Sequence, residues 1–575
     1  MTELPRPDGE GAATTGAALL AEIPHGCIYD AVRALDLLFG RGVDDAPLWL
    51  LVVRINVVVF LAAGLAAVGF RLAGRRRALA SPSAIVTAAG LTVLAAVLRF
   101  GLAVPNLVDF GGIPYSRLLY GYAGHFGTAQ FYSIFYQLTS RDIEHAIFFD
   151  QIAGTLTIPL VYLMCRNLSS DSRIATVAAF LFAVCPLHIL FSASDSLAIF
   201  SIFLAAAATA LLTWDDWPEE SDRLRRLRYL AAFSGLALLT QVRYENALFL
   251  IPPAAVLFAR RTGLRPRTLL VPALFGALLV AIYGYEAGTS GLTFQNPIWL
   301  RRGVAMVVES IVLNPFVSLP VLVAANLGIF RYRGFLWGAL SLLPWIPALV
   351  LPIAGGSGHG AARVFTSWLI LILPFSAYGI SLMSSARSKF VRLVAAAFVV
   401  YFAAQPMILR QRLASRYLEV REHEFFGAAL AAMPPRVELV IVPDDELLRR
   451  ETHSTIELFH KYEMIRAALP DAARRPRLVG LTDYLEHPER TACAPGRCLF
   501  FSGLPCLEQD VYPFAREQCR EIERSRAGPM LYESTQRAAP FLDCSIYVGA
   551  LAARYCRPAT RRQHLAFYWI EDAAD

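Results

Sequence analysis

The sequence predicts a mainly α protein: a polytopic transmembrane helical bundle of about twelve helices, followed by a soluble C-terminal α/β domain. Three observations predict it. Charged residues make up 17% of the 575 and hydrophobic residues 56%, whereas soluble domains carry about 25% charge. Apolar runs near the length that crosses a bilayer, about 20 residues, recur from residue 48 to residue 409. Beyond 409 the composition turns to dense charge of both signs. A single soluble fold, a disordered chain and a fibrous protein are excluded on these grounds. The domains read as an N-terminal extension over 1–47, a membrane domain over 48–409 and a tail over 410–575.

The spans read as 48–70, 83–103, 145–165, 174–191, 195–213, 229–243, 245–259, 268–286, 304–324, 335–353, 364–384 and 391–409. The pair around 229–259 is short and abuts at Arg243–Asn246. No positive segment leading into a short apolar core precedes the first span, so that span is expected to be retained rather than cleaved.

The loops alternate in charge. One set holds Arg71 to Arg77, Arg166 with Arg173, Arg223 to Arg228, Arg260 to Arg267, Arg331 with Arg333, and Arg387 to Arg392. The other set, 104–144, 192–194, 287–303 and 355–363, is poorer in Arg for its length. The positive-inside rule puts the first set in the cytoplasm, and with it residues 1–47 and the tail outside. The net charge of +7 therefore reflects membrane topology, and no nucleic-acid partner is expected. The expected location is a membrane of the cell envelope, the inner membrane of a bacterium.

Cysteine placement agrees with that orientation. Six of the nine cysteines lie in the tail: Cys493, Cys498, Cys506, Cys519, Cys544 and Cys556. An even set on an oxidising side suits disulfides, and six cysteines allow 15 full pairings. A zinc site and a reduced structural set are the alternatives. The tail's short apolar runs are Val437–Val442, Arg477–Leu481, Cys498–Phe501, Ile546–Ala550 and Ala566–Ile570, with a helical pattern over Asp445–Leu469. Strands alternating with helices predict a layered, partly parallel sheet. Asp444 and Asp445 end the first run as a ligand-bearing loop or as a helix cap.

Function should show in the outer loops. The stretch 102–144 is far longer than the usual helix connection of about 2–8 residues. It opens with Val104-Pro-Asn-Leu-Val-Asp109, continues through Tyr115, Arg117, Tyr120, Tyr122 and His125, and closes with Phe131-Tyr-Ser-Ile-Phe-Tyr136 and Arg141-Asp-Ile-Glu144. Its aromatics suit a segment lying on the membrane surface.

This pattern resembles the GT-C superfamily of polytopic glycosyltransferases, in particular the protein mannosyltransferase-like and aminoarabinose transferase-like branch, glycosyltransferase family 39 and relatives. That family has a membrane helix followed by a long outer loop whose opening carries a catalytic carboxylate, usually written Asp-Glu and then Tyr. Here Asp109 takes that place, Phe110 stands at the second acid, and Tyr115 follows. Ile152-Ala-Gly-Thr-Leu-Thr-Ile-Pro-Leu-Val-Tyr162, Arg173, Cys185-Pro-Leu-His-Ile-Leu-Phe-Ser192, Gly235-Leu-Ala-Leu-Leu-Thr-Gln-Val-Arg-Tyr-Glu245, and Arg363-Val-Phe before Leu369-Ile-Leu-Ile-Leu-Pro374 also resemble the family. The likeness runs over roughly 83–385. It implies a GT-C-like membrane domain, a polyprenyl-phosphate sugar donor and transfer on the extracytoplasmic face.

Chemistry asks for the same residue types. A carboxylate must take the acceptor's proton, cations must hold the departing phosphate, and the lipid tail must arrive from the bilayer. Asp109 is the candidate base, or else a carboxylate capping a helix. Asp195 and Glu245 are candidates for acceptor or metal, or else a helix cap and an ion-pair member. Arg243, His359, Arg363, Arg301 and Arg302 are candidates for the donor phosphate. Pairing of Arg243 with Glu245 or Asp195, a mobile loop around His359 and Arg363, and interfacial anchoring by Arg301 and Arg302 are the structural alternatives. The chain contains no Asp-x-Asp motif, so a divalent cation stays open. The acceptor (glycan, lipid or protein) also stays open. Two rivals remain. A transporter or lipid flippase should show matching halves, which are not visible here. A non-catalytic membrane scaffold would use the tail to bind a partner.

Overall fold

The computed structural model describes residues 48–74, 82–106, 143–214, 222–242, 246, 319–331, 358–443, 465, 469, 474–487, 494, 496–503, 506, 513–525, 527–536 and 563–571. The spans expected at 268–286 and 335–353, nearly all of 245–259, the first part of 304–324, the run 546–550 and most of 445–469 lie outside them.

The membrane domain begins with α1 (Leu48–Gly74) and α2 (Pro82–Ala96), which runs on as a π-helical turn over Val97–Leu102. Helices α3 (Ile143–Ser169), α4 (Ser172–Val184), α5 (Pro186–Ser192), α6 (Leu197–Leu212) and α7 (Asp222–Val242) follow. After them come α8 (Leu319–Arg331), α9 (Gly358–Ser384), α10 (Lys389–Ile408) and the single turn α11 (Arg410–Leu413). Among the described residues, Ser83–Leu102, Glu144–Ser169, Thr366–Ser384 and Lys389–Ile408 are long and apolar enough to cross a bilayer, and α4 with α5, bent by 57° at their break, is apolar enough as a pair for a broken span or a re-entrant segment. The sides of α2 and α10 turned away from the bundle are apolar: Val86, Val93 and Val97 on one, Phe390, Leu393 and Val400 on the other, are all exposed. Such stripes suit acyl chains rather than water.

Several boundaries differ from the sequence reading. The span expected at 174–191 is two helices, because Pro186 has no N–H to continue α4. Helix α7 starts at Asp222, seven residues before the expected span. The basic run Arg223 to Arg228, expected in a loop, is therefore helical, and Arg228 is buried, donating to the carbonyls of Leu211 (3.0 Å) and Trp214. Helix α8 runs past residue 324 to Arg331. Across the bundle, Asn56 on α1 donates to Ser234 O on α7 (3.1 Å). Asn167, in a glycosylation-like triplet, donates to Ala210 O at 3.5 Å.

Helices α8 and α9 touch backbone to backbone. A Cβ at Gly328 would stand 2.0 Å from Phe375 O, and one at Gly379 would stand 2.1 Å from Ala324 O. Small residues permit this approach, which is how helices associate in a membrane. Ser376 secures it by donating to Val321 O at 3.0 Å. Gly379→Val is expected to lower stability by about 1–3 kcal/mol through overpacking, read as an earlier unfolding midpoint in detergent. An unchanged midpoint would mean that the two helices part without cost.

In the tail, α12 (Leu418–Ala432) precedes β1 (Leu439–Val442) and β2 (Arg477–Gly480). Next come α13 (Leu481–Glu486), β3 (Cys498–Ser502), α14 (Pro513–Ser525), β4 (Ala527–Gln536) and β5 (Gln563–Ile570). The sheet order is β2-β1-β3-β5-β4. β1 is parallel to β2 and β3, and β5 is antiparallel to β3 and β4. Side chains alternate between faces along a strand, and the two cores divide accordingly. Val440, Val442, Leu499, Phe501 and Phe567 pack with Phe426 and Leu430 of α12. Leu439, Ile441, Cys498, Phe500 and Ile570 pack with Leu481 of α13 and Ile522 of α14. Helices on both faces explain why β1 and β3 read as unbroken apolar runs.

Candidate active site

The site grows from the break at Pro186. The last carbonyls of any helix lack intrahelical partners, and here the next residue that could serve Phe182 O is a proline. Helix α5 ends at Ser192, and a turn of Ala193, Ser194, Asp195 and Ser196 leads into α6. Ser196 caps α6, accepting from Ala198 N at 3.2 Å. All four turn residues are fully buried, Asp195 included.

Arg99, on the π-helical turn, fills the break. It is 0% exposed. Its Nη2 donates to Phe182 O (3.1 Å) and His188 Nδ1 (2.5 Å), its Nη1 to Ala183 O (3.3 Å) and Ala95 O (3.0 Å), and its Nε to Ser192 Oγ (3.3 Å). A guanidinium has five N–H groups and no acceptor, so every donor is used within the protein. His188 Nδ1 must accept, which puts the imidazole proton on Nε2. The carbonyl of Arg99 accepts from Gln151 Nε2 of α3 at 2.8 Å. Gly154 lets α3 come this close, since a Cβ there would meet Ser192 Oγ at 2.2 Å. Arg99 is thus a structural cation and is not free to hold a phosphate.

Beyond the π-turn the chain is pinned from three sides. Asn106 forms a parallel bridge with Ser194, and its N–H donates to Ala193 O at 2.9 Å. Its side chain donates to Val104 O (2.9 Å) and Ser415 O (3.2 Å) and accepts from Tyr417 N (3.0 Å). Val104 N donates to Leu413 O at 3.1 Å. The ends of α2, α5 and α11 therefore share one corner. The charge pattern had assigned all three ends to the same side of the membrane. On α6, Ser201 accepts from Asn246 Nδ2 at 2.8 Å, and Asn246 also donates to Leu239 O of α7 at 3.0 Å.

The expected site residues fall into three groups. Asp195 is described and lies at the corner. Asp109, Arg243, Glu245, Arg301 and Arg302 lie outside the described residues. His359 and Arg363 stand in the first turns of α9, which corrects the expectation of a glycine-rich loop through 363. Of the cysteines, Cys506 and Cys519 form a disulfide with Cα atoms 5.4 Å apart, tying the end of β3 to α14. Cys498 is also disulfide-bonded, while Cys493, Cys544 and Cys556 lie outside the described residues. Among the described residues no cluster of three or more His, Cys, Asp or Glu could hold a metal ion. Sequence reading missed Arg99, Asn106 and the fully buried Asp150. An ionisable residue inside an apolar span was the available signal for Arg99 and Asp150. Nothing in sequence marks Asn106.

A family model described as dolichyl-phosphate-mannose-protein mannosyltransferase matches residues 126–284, the segment that contains α3 to α7. No curated protein matches the chain. Among solved structures, ArnT from Cupriavidus metallidurans bound to undecaprenyl phosphate aligns at 10% identity over 86% of this chain and 99% of that one, with a TM-score of 0.44. The oligosaccharyltransferase AglB from Archaeoglobus fulgidus, in complex with an inhibitory peptide and a dolichol-phosphate, aligns at 13% identity over 83% and 72%, with a TM-score of 0.41. The arabinofuranosyltransferase AftD from Mycobacteria aligns at 14% identity over 87% of this chain and 40% of its own, with a TM-score of 0.43. The family model falls on the helices that build the proline break, and over that segment the chain is similar to a family of membrane mannosyltransferases.

Proposed function

We propose that the protein transfers a sugar from a polyprenyl-phosphate donor to an acceptor on the extracytoplasmic face of a bacterial inner membrane, with inversion at the anomeric carbon. The acceptor's hydroxyl oxygen attacks that carbon and Asp109 takes its proton. The bond from the anomeric carbon to the phosphate oxygen breaks, and polyprenyl phosphate leaves with the electron pair. Arg243, Arg301, Arg302, Arg363 and His359 are the groups proposed to stabilise the phosphate. Asp195 and Glu245 are proposed to orient the acceptor or a divalent cation. The tail is proposed to lie outside the cytoplasm and to hold the acceptor or a partner.

One observation carries this reading. Asn106 fixes the opening of the long loop against the buried Ser194–Asp195 turn. Asp109 is only three residues further on, so the chain can carry it no more than about 11 Å away. This short reach supports reading Asp109 and Asp195 as members of one site. The test offers purified protein in lipid a panel of polyprenyl-phosphate monosaccharides and measures released polyprenyl phosphate. Release is expected with one donor class. Well-folded protein that releases none, even with crude cell-envelope acceptor, would overturn the proposal in favour of a scaffold.

A further inference from the structure

We propose that Arg99 is a positioning residue for transfer: it splints the proline break so that the Ala193–Ser196 turn stands where the Asn106 backbone pairs with it. This rests on the transferase reading of that corner. A charge inside an apolar span is costly and persists only where it is used. Here the use is geometric. The broken turn leaves Phe182 O and Ala183 O open, and Arg99 donates to both while its Nε holds Ser192. One rigid plane therefore joins the end of α4 to the end of α5.

The same residue roots the other wall of the corner. It belongs to the π-helical turn, whose wider spacing brings Ala103 N to Leu98 O at 3.2 Å, and π-turns often mark functional sites. Its own carbonyl is left for Gln151. Four residues after Arg99 the chain is extended, and seven after it Asn106 bridges Ser194. Lysine, with three donors and no fork, could serve one carbonyl but not the set.

The test uses the full chain in lipid and three variants: Arg99→Lys, Arg99→Met, and Arg99→Met with Pro186→Ala. The added alanine returns the N–H that Phe182 O lacks. Each is made with and without Ser194→Cys, whose labelling by a membrane-impermeant maleimide reports whether the corner is closed; Ser194 is 0% exposed. Melting and the turnover of the polyprenyl-phosphate sugar panel are read in parallel. Ser194→Cys is expected to stay unlabelled beside Arg99, to react in Arg99→Met and to react partly in Arg99→Lys. Turnover in Arg99→Met should fall about 100-fold, the scale of a 1 Å misplacement, with KM for the donor little changed. Pro186→Ala should restore melting to Arg99→Met but not turnover, because a straightened helix carries the turn elsewhere.

Three results would overturn the proposal. Ser194→Cys could stay closed in Arg99→Met. Pro186→Ala could restore turnover together with melting, which would make Arg99 a capping residue only. The wild type could turn over no donor while Ser194→Cys opens in Arg99→Met; the splint would then stand, and the transferase reading would fall together with the positioning role. If Arg99→Met does not fold, Arg99→Lys carries the comparison through its partial labelling and its split between kcat and KM.

Discussion

Asp109→Asn should lower sugar transfer by about 10²–10⁴-fold, the usual worth of a positioned general base, at unchanged yield of folded protein. Asparagine keeps the size and hydrogen-bonding reach of aspartate but cannot accept the acceptor's proton. The loss should appear in kcat, because donor binding is proposed to rest on cations other than this carboxylate. The measurement is released polyprenyl phosphate against donor concentration, for wild type and variant in the same lipid. Activity within about threefold of wild type would remove Asp109 from the mechanism and shift attention to Asp195. The bonds described above at Val104 and Asn106 are made with residues 193, 413, 415 and 417 and do not involve Asp109.

Phe426→Ala should destabilise the tail by about 3–5 kcal/mol, the range for a buried phenylalanine emptied to alanine. Phe426 is fully buried where α12 meets the sheet. Its ring lies 4.8 Å from Phe501 and 5.4 Å from Phe567, and those two rings are 4.8 Å apart. One helix and two strands thus converge on one aromatic knot, since Phe426 is on α12, Phe501 on β3 and Phe567 on β5. Pulse proteolysis of the full-length protein in increasing urea would follow the tail alone, because detergent-embedded helices resist the protease. A midpoint close to wild type would mean that the surrounding side chains close the cavity. It would also mean that α12 is held to the sheet by other contacts.

Hydropathy made the helices legible and blurred their ends. Spans at 83–103, 145–165, 195–213, 364–384 and 391–409 have counterparts in α2 with its π-turn, α3, α6, α9 and α10. Averaging over a window cannot see that Asp222–Arg228 continues α7, because that turn is charged and still helical. It also passed over Pro186, whose missing N–H outweighs the apolar run around it. In the tail, β1 and β3 were visible because both faces are buried. β4, Ala-Gly-Pro-Met-Leu-Tyr-Glu-Ser-Thr-Gln, carries no alternation and gains its form from pairing with β5 through two register shifts. Arg99 was readable in principle as a charge in an apolar span. Asn106 was not: apart from Val104 its hydrogen-bond partners are backbone groups of residues 193, 415 and 417, and a contact across 311 positions leaves no local trace.

That separation also sets a timetable. Chains emerge from the ribosome at roughly 5–20 residues per second, so Asn106 waits about 15–60 s before Tyr417 exists to donate to it. The corner cannot be sealed while the membrane helices are being inserted one after another; it closes only when the last of them has been delivered and the tail begins. A nascent chain halted just before α12 would carry the membrane helices described above and yet lack the Tyr417 bond to Asn106 that completes the corner. Assembly in that order puts the closing of this corner after the making of the helices around it.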